Sequence, residues 1–189
     1  MSAGAPDARK RKEKALAEVF ETQYERIARY IALRIGRKDE AEDLASQVFL
    51  RAVEALDGYE ERGTPMQAWL YRIAHNMSVD YLRRNAHRQH VPIDELPVAA
   101  PVDPEGEVSL RMDVEEVAGA IRQLTPSQRD VLALRVLGGL TSEQAGRVLH
   151  KSGGAVRELQ SSALKSLRRL LEGGQKSRRG RKRSDAQAT

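Results

Sequence analysis

The stretch from Thr64 to His90 constrains the fold of this chain more than any other. Thr64-Pro65 reads as a helix start, because proline in the first turn gives up only an N–H that would lack a partner anyway. Met66, Trp69, Leu70, Ile73, Met77, Tyr81 and Leu82 then recur at helical spacing and predict one buried stripe. The opposite side carries Arg72, His75, Asn76, Arg83, Arg84, His87 and Arg88. From Arg62 to His90 there are five arginines and a single acid, Asp80. Arginines and amides along one side of a stiff helix suit phosphate and base contact. A solvated basic face on an ordinary core helix has the same composition, so the rest of the chain has to decide.

The 189 residues suffice for one medium domain or two small ones. Cysteine is absent, which excludes disulfides, thiolate metal sites and a cysteine nucleophile. The beginning, MSAGAPDARKRKEKALAE, has no apolar core of a signal peptide, and no later run approaches the length of a membrane span. A soluble, cytoplasmic protein is the expectation. A net charge of +5 and a pI near 9.6 point to an acidic partner, most often nucleic acid. The charge is segregated. Residues 91–116 hold eight acids against one base, and residues 165–183 hold nine bases against one acid. No alternating strand pattern appears, so the fold class is all-α.

Taken in order, residues 1–13 are small, polar and basic, and are expected to be disordered. A helical pattern runs from Lys14 to about Arg37 through Leu16, Val19, Phe20, Tyr24, Ile27, Tyr30, Ile31 and Ile35, with Gly36 as its terminator. A second helix follows from Asp39. Its early acids suit the positive end of the helix dipole, and Ala41, Leu44, Ala45, Val48, Phe49, Ala52, Val53 and Leu56 form its expected buried side. The remainder, Asp43, Gln47, Leu50, Arg51 and Glu54, is a polar row with one leucine in it, either plain surface or a docking face for another protein's helix. With the helix after Thr64 this makes a first domain at 14–90.

Residues 91–109 contain Pro92, Pro97, Pro101 and Pro104 among acids and read as a linker stiffened by proline and like charge. The 22 residues from Val91 to Met112 span at most roughly 70 Å. The second domain, 110–172, opens with a short helix to about Leu124. Thr125-Pro126-Ser127-Gln128 and Thr141-Ser142-Glu143-Gln144 are two capping boxes, each a hydroxyl cap with glutamine three residues on. The first helix stops at Gly138-Gly139 and the second near His150. After Lys151-Ser152-Gly153-Gly154 a longer helix carries Val156, Leu159, Ala163, Leu167, Leu170 and Leu171 on its apolar side. A short helix, a tight turn and a longer helix with basic ends is the helix-turn-helix pattern, although an ordinary helical hairpin shares it. The tail at 173–189, with KSRRGRKR at 176–183, is low-complexity, basic and expected to be disordered.

The segments DEAEDLASQVFLRAVEAL (39–56), AWLYRIAHNMSVDYLRR (68–84), LTPSQRDVLALRVLGGLTSEQAGRVL (124–149) and GAVRELQSSALKSLRRLL (154–171) together resemble the extracytoplasmic-function (ECF) group of bacterial sigma factors, within the sigma-70 family. The resemblance covers both domains in the family's order. It implies a non-enzymatic subunit, needing no cofactor or metal, that directs core RNA polymerase to promoters and begins promoter melting. By resemblance, Asp43, Gln47, Leu50, Arg51 and Glu54 dock on the clamp helices of the polymerase β′ subunit. Trp69, Arg72, His75, Asn76, Ser78, Asp80, Arg83 and Arg84 are the implied contacts to the minus-ten element, where a flipped base is held; Trp69 reads equally well as core. Ser152, Gly154, Ala155, Arg157, Glu158, Ser161, Ser162 and Lys165 are the implied contacts to the minus-thirty-five element, Arg157 foremost. Many relatives carry a His-Arg pair where this chain has Ser161-Ser162, which weakens the implied phosphate grip. Further implied partners are the polymerase β flap and an anti-sigma factor.

Two other readings compete. A stand-alone helix-turn-helix regulator accounts for 110–172 and leaves 14–90 unexplained. A metal enzyme built on His75, His87 and His90 lacks the carboxylates to complete a site. The favoured reading makes a structural demand: two modules able to part, with basic helix faces outward. Modules fused around one core with those faces turned inward would overturn it.

Overall fold

The structure is a computed structural model that describes residues 5–61, 63–85 and 116–187. The expected linker at 91–109 and Arg62, His87, Arg88 and His90 lie outside the described residues. Every described element is helical, as the sequence predicts. The order is α1 (Ala5–Ile35), α2 (Lys38–Glu54), a short 3-10 turn (Leu56–Gly58), α3 (Met66–Asn85), α4 (residues 116–122), α5 (Pro126–Leu132), a π-turn (Ala133–Leu137), α6 (Ser142–Leu149) and α7 (Gly153–Gln187).

Two helices extend beyond their expected ends. α1 begins at Ala5, inside the stretch expected to be disordered. Arg9 there reaches Asp57 at 2.6 Å, and Lys12 donates to the Asp57 carbonyl at 3.0 Å, so the turn after α2 holds the first turns of α1. The backbone of α7 continues to Gln187, through the tail also expected to be disordered.

The stops follow local chemistry. Gly36, at φ 77°, ends α1 in a left-handed conformation that favours glycine. Both capping boxes form, Thr125 with Gln128 and Thr141 with Gln144. His150 takes the left-handed position at the end of α6 (φ 54°), and the Ser152 hydroxyl accepts from the Ala155 N–H to start α7. Gly146 is required for the tight turn between α6 and α7: a Cβ there would stand 2.5 Å from the Lys151 carbonyl oxygen.

In the first module α1, α2 and α3 close on Ile27, Tyr30, Ile31, Val48, Leu56, Leu70 and Tyr71, all fully buried. Each such aliphatic side chain contributes roughly 1.5–3 kcal/mol of burial. The second module buries Val131, Leu134, Leu140, Val148 and Val156. The two sets form one continuous apolar cluster: α3 lies on α6, and α1 lies on α5 and the π-turn. The modules therefore pack on each other. The basic residues of α3 nevertheless stay outside, since Arg72, Arg83 and Arg84 are exposed.

Two expectations about burial fail. Val53 (50% exposed) and Leu82 (40%) sit at the margins of their apolar stripes and stay open to solvent.

Candidate polymerase and nucleic-acid interfaces

Three surfaces carry the residues singled out in the sequence. On α2, Asp43, Gln47, Leu50, Arg51 and Glu54 are all exposed, because Leu44, Ala45, Val48, Phe49 and Ala52 commit the other side of that helix to the core. Leu50 is 64% exposed and follows Phe49, which is stacked edge-on by Phe20 at 4.8 Å. Phe20 and Val53 line a shallow apolar groove with Leu16, Phe49 and Leu56, edged by Glu13 and Glu21. The sequence reading missed this groove because it assigned Val53 to the buried side of its helix.

On α3 the residues predicted to face DNA divide between two sides. Arg72, Asn76, Arg83 and Arg84 face solvent, and Asp80 is half-buried, pairing with Arg83 at 3.1 Å. Trp69 is buried against the Tyr59 ring at 4.9 Å, so of its two readings the structure favours core. Ser78 is wholly buried and donates back to the Ala74 carbonyl at 2.7 Å, leaving no hydroxyl for a base edge in this conformation. His75 turns toward α1, with its Nδ1 2.9 Å from the Tyr30 hydroxyl. Burial, then the nearby charges of Arg34 and His150, lower its pKa to about 4, so the ring is neutral at pH 7. The partners differ: Trp69 meets Tyr59 of the preceding loop, Ser78 bonds its own helix, and His75 meets Tyr30 of α1.

That inward side of α3 also supplies contacts the sequence did not signal. Gln67 donates to the Gly138 carbonyl at 2.6 Å and to Gln23 Oε1 at 3.1 Å. The Tyr71 ring lies 3.1 Å from where a Gly138 Cβ would stand. Nearby, Arg34 of α1 pairs with Asp130 of α5, both side chains being at least 86% covered. The contact is one of charge, and Arg34 Nε has no partner. Burial raises the Asp130 pKa even against the opposing pull of Arg34, which marks the pair as costly to desolvate. Gly138 was read only as a helix stop; its approach to Tyr71, 67 positions earlier in the chain, leaves no short-range signal.

At the cap and on the outer side of α7, Ser152, Arg157, Glu158, Ser161, Ser162 and Lys165 are exposed, while Gly154 and Ala155 are half-buried in the first turn. Val156, Leu159 and Ala163 hold the helix against α5 and α6. Arg157 pairs with Glu143 of α6 at 2.9 Å across open surface. An exposed pair of this kind is screened and readily exchanged for a phosphate. Ser162 accepts from Gln128 at 3.1 Å, so its oxygen is already partly engaged. Among the described residues no group of three metal-ligating side chains converges, and no helix is long and apolar enough to cross a membrane.

A three-helix module with an arginine-lined outer helix, followed by a helix-turn-helix with an open recognition face, defines a class: a two-module helical protein built to meet nucleic acid. Comparison with known proteins narrows it. Residues 20–88 match the Sigma-70 region 2 family, and residues 120–169 match Sigma-70, region 4. The ECF RNA polymerase sigma factor ShbA of Streptomyces griseus is 36% identical over 155 residues, covering 76% of this chain and 81% of that protein. BldN of Streptomyces coelicolor, another ECF sigma factor, is 34% identical over 159 residues, covering 83% of this chain and 60% of BldN. The chain belongs to the ECF RNA polymerase sigma factors of the sigma-70 family. The sigma factor RpoE of Bartonella quintana, solved with the anti-sigma factor NepR, shares the fold at a TM-score of 0.67 and 20% identity, over 82% of this chain and 96% of that one. CnrH, solved with the cytosolic domain of CnrY, gives 0.64 and 22%, over 89% and 95%.

Proposed function

We infer that this chain is a promoter-specificity subunit that docks on core RNA polymerase through α2, opens DNA with α3 and reads duplex DNA with the start of α7. The observation that carries this is the division of α3. One side of the helix is committed to the core, and Arg72, Asn76, Arg83 and Arg84 are left in solvent on the other. Unpairing a base costs a few kcal/mol, which a pocket for the flipped base and arginines on the phosphates offset. Asp43, Gln47, Leu50, Arg51 and Glu54 supply the polymerase contact, with Leu50 as the apolar anchor in a polar rim.

The packed arrangement is a resting form in this reading. α3 touches α6 and α6 touches α7; at 8–10 Å per helix contact, α3 and α7 lie within about 20 Å. The two promoter elements stand one and a half to two turns apart, roughly 50–70 Å. The modules part when polymerase holds them, and the linker's roughly 70 Å reach accommodates that. The acidic linker runs along a basic channel of the enzyme, and the second module meets the β flap. An anti-sigma factor is the expected regulator, a reading supported by the partner of RpoE. The chain acts in the cytoplasm and performs no catalysis of its own.

The test is paired. Arg83→Ala with Arg84→Ala is expected to abolish promoter opening, measured by permanganate footprinting, while pull-down with core polymerase is retained. Equal opening by variant and parent would refute the role given to α3.

A further inference from the structure

Most exposed side chains of α3 have a task in the function above: Arg72, Asn76, Arg83 and Arg84. Two do not. Val79 is 42% exposed, and Leu82 is open to solvent as well. A single exposed valine is ordinary on a protein surface; what sets this one apart is its position. Residues 72, 76, 79 and 83 follow steps of four, three and four, which is one line along a helix. Val79 therefore stands in the middle of the face assigned to DNA, between Asn76 and Arg83. Along the helix axis Asn76 lies about 4.5 Å before it and Arg83 about 6 Å after it. Leu82, three positions on from Val79, is its neighbour on the helix surface.

Neither the helix nor the core asks for valine here. A β-branched residue is slightly disfavoured in a helix, and a side chain left this open gains only part of the benefit of burial. The face also lacks the group that most often receives an unpaired base, an aromatic ring. Trp69 is buried against Tyr59, and Tyr71 is fully buried. Tyr81 is half-buried and donates to Glu40 of α2. Among the described side chains of α3, the apolar surface offered outward is aliphatic, Val79 with Leu82.

Aliphatic surface cannot hydrogen-bond a base. Its counterpart on a base edge is the C5 methyl of thymine, which lies next to O4. An asparagine amide can donate to O4 of thymine or accept from N4 of cytosine, so Asn76 alone does not choose between the two pyrimidines. An apolar group one turn along the same line does choose, because only thymine carries the methyl.

We propose that Val79 is a specificity-determining residue of the minus-ten contact, covering the C5 methyl of an unpaired thymine whose O4 is held by Asn76. The proposal rests on the reading of α3 as the helix that opens DNA.

The test gives the full-length chain, assembled with core polymerase, a library of duplexes pre-melted at the minus-ten region, with that stretch of the non-template strand randomised. Bound molecules are sequenced. The parent is expected to enrich thymine over cytosine at one position. Val79→Ala should erase that choice there and leave the other positions as they were; alanine is the better helix former, so the fold is kept. Val79→Thr, which holds the shape and exchanges one methyl for a hydroxyl, should do the same. The tightest-bound sequence is then remade with deoxyuridine at that position, which removes the methyl and nothing else. The parent should lose affinity about fourfold, as for one buried methyl, and Val79→Ala under about 1.5-fold, because the two deletions remove the same contact. Val136→Ala, which truncates an exposed valine of the second module, should behave as the parent. Unchanged thymine enrichment in Val79→Ala, an even loss across all positions, or an equal uracil penalty in parent and variant would each overturn the proposal and leave the role of α3 standing. A parent that joined core polymerase but selected no minus-ten sequence would refute the role of α3 itself, and the assignment of Val79 with it.

Discussion

The two sides of α3 do opposite work. The inward side, Gln67, Tyr71, Ala74 and His75, meets α1, α6 and Gly138 and joins the modules. The outward side, Arg72, Asn76, Arg83 and Arg84, stabilises nothing in the fold beyond local contacts such as Arg83 to Asp80. Residues between the modules should therefore be felt in stability, and residues on the outward faces in binding alone. The join also carries polar contacts of its own. Beside the apolar cluster the modules share, it adds a buried ion pair, a hydrogen bond from the Gln67 amide to one carbonyl and a close glycine contact, which are specific in geometry and modest in net energy. Such a join holds one arrangement and can still be given up for another.

The sharpest way to break the comparison is at Asp130. Asp130→Ala leaves Arg34 covered without its partner, and a loss of ~2–4 kcal/mol in unfolding free energy is expected. The double variant Arg34→Leu with Asp130→Leu should recover most of it, because the desolvation cost disappears with both charges. Urea unfolding of the parent, Arg34→Leu, Asp130→Leu and the double variant closes the cycle. An additive double variant would mean that the pair does not couple the modules.

Gly138 comes next. A Cβ there would stand 2.6 Å from the Leu134 carbonyl oxygen and 3.1 Å from the Tyr71 ring. Backbone cannot yield cheaply, so Gly138→Ala is expected to cost ~1–3 kcal/mol by thermal unfolding. Gly139→Ala, with open space around its Cβ position but φ 60°, should cost less and leave the join intact.

His75 sharpens the comparison through pH. Its pKa falls from 6.5 to about 4 on folding. A depressed histidine pKa gives stability that is complete above pH 6.5 and lost as pH falls toward 4. Between pH 7 and 5.5 the loss should be roughly 1 kcal/mol. His75→Gln should flatten the slope in that window, and an unchanged slope would show that the ring is not held neutral between Tyr30, Arg34 and His150.

Much of this architecture is legible in the sequence, and the reason lies in period and punctuation. Both capping boxes, the helix ends at Gly36 and near His150, and the exposed row on α2 follow from local spacing that tertiary contacts did not override. The outward half of α3 was legible for the same reason. What was not legible depends on what lies beside a helix rather than along it. Trp69, His75 and Ser78 sit at the boundary of a face, and only the position of Tyr59, α1 and α6 decides on which side each falls. Val53 and Leu82 err the other way, apolar residues left open to solvent at the edge of a stripe. The packing of the modules had no signal at all, since Arg34 and Asp130 are 96 positions apart in the chain and look like ordinary surface charges.

Arg157 is the opposite of Asp130 and the smallest expected effect on the fold. It is exposed, it pairs with an exposed Glu143, and no apolar neighbour depends on it. Arg157→Ala should leave the unfolding midpoint unchanged within error. Its effect should appear only on DNA: weaker binding of the minus-thirty-five duplex by the polymerase-bound chain, and, if the guanidinium reads a base, discrimination reduced by about 1–3 kcal/mol at one position rather than evenly across sequences. A shift in unfolding without a shift in DNA binding would place Arg157 with the structural contacts and remove the start of α7 from the outward, partner-facing half of the molecule.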